Sequence, residues 1–298
     1  MNILLKKLPT KVEFMLINDI NYFKSTSNYT NKFSGMDHPS QSANNTSKKF
    51  WEYPVQDFDY QYNSWGFRGT DYKQYIGKPV NICLGDSFTV NLGGPVEHSW
   101  CSQLAKHFDI PTVNLGMDGA GNDAIKLVYN RACKVFDVQN TFVMYSYLHR
   151  RLINGEFIQD VNKDKENFEY FLEQHIPNVV KCALPGWCWS DSEKEFLREQ
   201  GLFFLDLNNI VNFNDHLLTN RKIIVIESSY NNLRGPSWPT YKEFLNGAEP
   251  HPDMFTKQFG QFIDSKLRYV NRDGHHLNYD ANKIYADYLY QQWSKHES

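Results

Sequence analysis

Pro79-Val80-Asn81-Ile82-Cys83-Leu84-Gly85-Asp86-Ser87-Phe88-Thr89 is the stretch whose reading decides the fold. Its first half is a short apolar run with β-branched residues, bounded by proline and glycine, which reads as a buried strand. At its end Gly85 permits a tight strand-to-helix turn and leaves Ser87 at the apex. Downstream, runs of the same kind recur at Thr112 to Leu115, Thr141 to Tyr145, Val179 to Leu184, Leu202 to Leu207 and Lys222 to Ile226. Between them lie stretches of helical period at Ser99 to Phe108, Asn122 to Phe136, Lys165 to His175 and Ser192 to Gln200, and a final helix is expected over Tyr279 to Trp293. Strand and helix in alternation imply crossover connections and a parallel sheet covered on both faces, an α/β fold.

Upstream, residues 24–48 are dominated by Ser, Asn, Thr, Lys and Gly without period, so residues 1–48 read as a mobile or irregular arm. Residues 49–298 read as a single α/β domain, with a Gly/Pro-punctuated insertion at about 208–269. A formal net charge of −3 over 298 residues gives no field that would hold nucleic acid or an anionic membrane. Cys83, Cys101, Cys133, Cys182 and Cys188 are odd in number, widely spaced and set in apolar runs. They read as buried free thiols, which suits a reducing cytoplasm. Lys6, Lys7, Lys11 and Glu13 interrupt the apolar N-terminus, which is a poor signal peptide. No stretch has the roughly 18 to 20 apolar residues of a membrane span.

In an open parallel sheet, ligands bind beyond the carboxyl ends of the strands. After the first run stands Gly85-Asp86-Ser87, where Ser87 is placed as a nucleophile; the alternative is a turn in which Asp86 or Ser87 only caps the next helix. After the second run comes Gly116-Met117-Asp118-Gly119-Ala120-Gly121-Asn122-Asp123-Ala124, whose glycines let backbone N–H groups face an oxyanion or phosphate. Gly119 to Ala124 also fits a dinucleotide fingerprint, but the next strand ends Tyr145-Ser146-Tyr147, without the acid that a ribose needs. Near the C-terminus, Asp273-Gly274-His275-His276 offers a carboxylate and an imidazole in one turn, the pairing that makes an imidazole a base for a serine. A solvent turn, or a metal site from Asp273, His275 and His276, are the other readings of that segment.

These blocks in this order resemble the SGNH (GDSL-type) hydrolases. Gly85-Asp86-Ser87 matches the first block of that family and Asp273 to His276 its last, while Asn114 to Gly119 is similar to the second, with Gly119 as the matching glycine. Asn63-Ser64-Trp65-Gly66-Phe67-Arg68 looks like a segment found before the first strand in one branch. The resemblance implies a three-layer α/β sandwich with a mainly parallel, flavodoxin-like sheet. It implies Ser87 as nucleophile, His276 as base, Asp273 as its orienting acid, and the N–H groups of Ser87 and Gly119 as the oxyanion hole. No metal or organic cofactor is then required.

The family's third block places an asparagine after strand three, whereas this chain has Tyr145-Ser146-Tyr147-Leu148-His149-Arg150-Arg151. Losing one oxyanion donor costs about a hundredfold or more in rate unless another group replaces it. His149 to Arg151 also read as an exposed basic helix start. Three functions stay open: a serine esterase acting on a small acyl ester or an O-acetylated carbohydrate, a silent binding or structural protein on the same fold, and an O-acyltransferase. Asp86, Tyr147, His149, Arg150, Asn63 and Arg68 are the candidates for substrate contact, and Trp187, Trp189 and Trp238 for a carbohydrate-stacking surface.

Overall fold

A computed structural model of the chain describes residues 20–33, 58–159, 164–206 and 275–297. The expected run Lys222 to Ile226, the insertion at 208–269, Trp238 and Asp273 lie outside these residues, as does most of the expected arm. In chain order the main elements are α1 (Asn21–Thr26), β1 (Pro79–Gly85), α2 (Ser87–Val90), α3 (Trp100–Ala105), β2 (Thr112–Gly116), α4 (Asn122–Val135) and β3 (Asp137–Tyr145). There follow β4 (Arg150–Ile153), β5 (Glu156–Gln159), α5 (Asp164–Gln174), β6 (Val180–Ala183), α6 (Asp191–Glu199) and α7 (Tyr279–Glu297).

The central sheet runs β2-β1-β3-β6, the order of a flavodoxin-like sheet. β1 pairs in parallel with β2, Leu84 opposite Leu115, and with β3, Leu84 opposite Val143. Every residue of β1 after Pro79 is buried. A strand buried on alternate residues of both parities is covered on both faces, as parallel sheets require. β3 starts four positions before the apolar run, at Asp137, because β1 supplies backbone partners from Pro79 onward and the Asn140 amide donates to Asn81 Oδ1 at 2.8 Å. Of Leu202 to Leu207, expected as a strand, the described residues 202–206 make one parallel bridge, Phe203 to Cys182. Ala183 N–H donates to Phe203 O, and Gly186 N–H to Leu205 O.

The chain divides into two compact units. The first, residues 1–29, 61–90 and 105–181, holds β1, α2, β2, α4, β3, β4, β5 and α5. Its core includes Phe23, Phe67, Ile82, Leu84, Val113, Leu115, Ile125, Val128, Phe142 and Val143. α1 falls inside the stretch read as irregular. It is ordered because Phe23 packs edge-on to Phe67 at 4.8 Å, and Asn21 N–H donates to Gly155 O at 2.9 Å. The second unit, residues 30–60, 91–104 and 182–298, includes α3, α6 and α7. There Tyr285 is fully buried, and its hydroxyl accepts from Leu205 N–H at 3.0 Å. Ser190 and Glu193 form a reciprocal capping box at the start of α6, which satisfies two of its orphan N–H groups.

All five cysteines are free, but they are not all buried: Cys133 is exposed and Cys188 half-buried. α4 buries Ala124, Ile125, Val128, Ala132 and Val135. Cys133 follows Ala132 and, at 3.6 residues per turn, is carried off that face. Among the described residues no helix is long and apolar enough to cross a membrane.

Candidate active site

Gly85 ends β1 because nothing larger fits. A Cβ there would lie 2.0 Å from Thr89 Oγ1 and 2.9 Å from Met144 O. Asp86 caps α2: its Oδ1 accepts from Phe88 N–H at 3.0 Å, and its carbonyl accepts from Thr89 and Val90 N–H. The capping reading of the turn is therefore realised, by Asp86, and it makes Ser87 the first residue of α2, 3% exposed. α2 is held from below by the Asn114 amide, which donates to Thr89 O at 2.8 Å, and by the Arg68 guanidinium, which donates to Val90 O at 3.0 Å.

That use of Arg68 bears on its expected role in substrate contact: at 1% exposure it is a buried buttress of the turn at Ser87. Asn63 is likewise spent on its own loop. Its Oδ1 accepts from Trp65 and Phe67 N–H, and its Nδ2 donates to Thr70 O at 2.9 Å.

Beyond β2, Met117 N–H donates to Gly85 O at 3.1 Å, so the second loop starts against the turn that carries Ser87. Gly119 has φ of +80°, open to glycine and strained for other residues. Asn122, at the start of α4, ties this loop to the end of β3 as one peptide pairs with another. Its Nδ2 donates to Ser146 O at 2.9 Å and its Oδ1 accepts from Ser146 N–H at 2.8 Å.

Asp86 is fully buried. Its Oδ2 accepts from Ser146 Oγ at 2.6 Å and from Arg150 Nη1 at 2.9 Å. The expected basic helix start is instead an antiparallel hairpin, β4 paired with β5, Arg151 opposite Ile158. Asn154 at φ +52° and Gly155 at φ +84° turn it. Asn-Gly with both residues at positive φ is the signature of a two-residue hairpin loop, and that signal was present in the sequence. Register puts Arg150, Leu152, Phe157 and Gln159 on one face, and Phe157 lies 3.5 Å from where a Cβ of Gly119 would stand. The Tyr147 ring lies 4.4 Å from the Arg150 guanidinium carbon and 5.3 Å from the His149 ring.

In the second unit His276 is 6% exposed, its ring edge-on to His275 at 5.0 Å. Trp187 Nε1 donates to His275 O at 3.3 Å. Trp189 is buried, and its Nε1 donates to Leu184 O, so it serves packing rather than a stacking surface. Downstream of His276, Asn278 caps α7 by accepting from Ala281 N–H at 3.1 Å. Asn282 gathers four contacts: its Oδ1 accepts from Trp100 N–H at 2.9 Å, and its Nδ2 faces Asn91 Oδ1, Leu277 O and Asn278 O at 2.8 to 2.9 Å. Neither Asn122 nor Asn282 was singled out by sequence. Buried asparagines in polar stretches look like turn formers until their partners are seen.

No protein-family model matches the sequence, and no curated protein does. Among solved structures, a lipolytic protein of the G-D-S-L family from Desulfitobacterium hafniense matches at 13% identity and TM-score 0.33, covering 71% of this chain and 98% of its own. A member of the same family from Veillonella parvula matches at 12% identity and TM-score 0.35, covering 72% and 97%. The esterase EstA from a Pseudoalteromonas species, solved inhibited by monoethylphosphonate, matches at 10% identity and TM-score 0.31, covering 73% and 97%. At such values the site has to be read from its own geometry.

Proposed function

We propose that the chain is a serine hydrolase of esterase type. The observation that supports this best is the placing of Ser87. It opens the helix directly after the central parallel strand, in a turn pinned by Asp86, with the Gly119 loop of the neighbouring strand bonded to Gly85. In this reading Ser87 Oγ attacks the acyl carbon while His276 takes its proton, oriented by Asp273. The N–H groups of Ser87 and Gly119 stabilise the oxyanion. The bond from acyl carbon to alcohol oxygen breaks, His276 returns the proton to the departing alcohol, and water then removes the acyl group from Ser87. The substrate class is a small acyl ester, an O-acetyl group on a carbohydrate being the specific candidate. A silent protein on the same fold is the second reading, favoured by the ion pair that occupies the place after β3.

The test is labelling with a fluorophosphonate, followed by mass spectrometry of the modified peptide. Label on Ser87 that vanishes in Ser87→Ala and slows by about 10⁴ in His276→Ala supports the hydrolase. A folded protein that takes no label sinks it and leaves the silent reading.

A further inference from the structure

We propose that Arg150 is a third donor to the oxyanion, acting beside the backbone N–H groups of Ser87 and Gly119; the proposal rests on the hydrolase reading above. Arg150 is the first residue of the hairpin that follows β3, and it touches both loops that would hold the oxyanion. Its side chain reaches Asp86, next to Ser87, and its carbonyl lies 2.6 Å from where a Cβ of Gly121 would stand, two residues from Gly119.

The way the guanidinium is held points to a ligand. Both of its side-chain bonds run through Nη1, to Asp86 Oδ2 at 2.9 Å and Ser146 Oγ at 3.3 Å. Nε is buried and finds no acceptor among the described residues. An arginine kept only to neutralise a carboxylate would do so best with two parallel bonds. Here one corner is anchored, and Nη2, on the other fork of the group, is left for an oxygen that arrives with the substrate. Tyr147 lies over the guanidinium at 4.4 Å and fixes its plane.

Charge balance suits the role. Asp86 neutralises Arg150 at rest, so the pair holds no strong standing attraction for a product carboxylate. When the carbonyl oxygen gains negative charge in the tetrahedral state, donors already in place stabilise it without reorganising. The apolar Leu152 and Phe157 share the Arg150 face of the hairpin and lower the local dielectric.

The decisive variant is Arg150→Lys, which keeps a cation for Asp86 but removes the fork. With p-nitrophenyl acetate as substrate, kcat is expected to fall by about a hundredfold or more with KM little changed. Fluorophosphonate labelling of Ser87 is expected to slow in parallel. A trifluoromethyl ketone, which forms an oxyanion on Ser87, is expected to weaken by the same factor as kcat/KM, which a purely structural role would not produce. The double variant Asp86→Asn with Arg150→Gln leaves no charge unpaired and provides a second reading if the lysine variant does not fold; the same loss is expected. Labelling by Arg150→Lys within tenfold of the unaltered protein, or recovery in the double variant, overturns the proposal and leaves Arg150 as the partner of Asp86 only. Failure of the unaltered protein to label on Ser87 would instead remove the hydrolase reading, and this proposal with it.

Discussion

Replacing Asn282 tests the hub of the second unit. The side chain is fully buried, accepts from Trp100 N–H, and shares its two amide hydrogens among Asn91 Oδ1, Leu277 O and Asn278 O. Two amide hydrogens and one accepted bond make about three effective hydrogen bonds at about 0.5–1.5 kcal/mol each, so Asn282→Ala is expected to cost about 2–4 kcal/mol. In a chain of 298 residues that lowers Tm by about 3–6 °C. Asn282→Asp is the sharper variant, since it keeps the acceptor for Trp100 and turns a carboxylate oxygen toward three acceptors. Burial and those acceptors raise the folded pKa of the new carboxyl above its ordinary value of about 3.9. The folded state then binds the proton more tightly than the unfolded one, so the penalty is complete above the raised pKa and lifts as pH falls toward about 3.9. Urea unfolding of both variants and the unaltered protein, at about pH 7 and about pH 5, reads this as the difference in stability at each pH. A loss under about 1 kcal/mol for the alanine, or an aspartate penalty equal at both pH values, would refute the reasoning.

Gly85→Ala is expected to cost about 1–3 kcal/mol or more in urea unfolding, because its methyl group would meet Thr89 Oγ1 at 2.0 Å and Met144 O at 2.9 Å. Adding Thr89→Ala is expected to return only part of the loss, since the backbone contact remains. His175 lies 2.6 Å from Lys181 Nζ, and burial first, then Lys181 and Lys126, hold its pKa below the ordinary 6.5. The folded state therefore binds fewer protons than the unfolded one just below pH 6.5, and stability falls as pH drops through that window. His175→Gln is expected to flatten the slope of Tm against pH there; an unchanged slope would contradict it.

The sheet is legible where strands are buried on both faces, because such strands are largely apolar, with Asn81 and Asn114 as the buried exceptions. Val80 to Leu84 and Thr112 to Leu115 were read within a residue or two of their observed ends. Phe203 and its neighbours carry the same signal, yet make one bridge, since an apolar run states a wish for burial and not a partner. The turn at Ser87 was legible from glycine and serine alone. The hairpin after β3 is announced only by Asn154-Gly155, and the three adjacent basic residues before it carry the composition of a solvated helix start. Arg150 looked exposed for the same reason. Its partner lies 64 residues earlier, and no local pattern reports a pairing at that distance.

The span between Asp86 and Arg150 also sets a timetable. The carboxylate that fixes the turn at Ser87 is made first, and its counterion is made 64 residues later. At about 5–20 residues per second the interval is roughly 3–13 s, during which Asp86 has neither Ser146 nor Arg150 and must stay hydrated. The strand that precedes Asp86 emerges before the hairpin, and the buried ion pair forms only after the hairpin has been synthesised. A nascent chain halted before residue 150 thus carries Ser87 without the surroundings that would make it reactive, and the chemistry proposed for this site starts late in the life of the growing polypeptide.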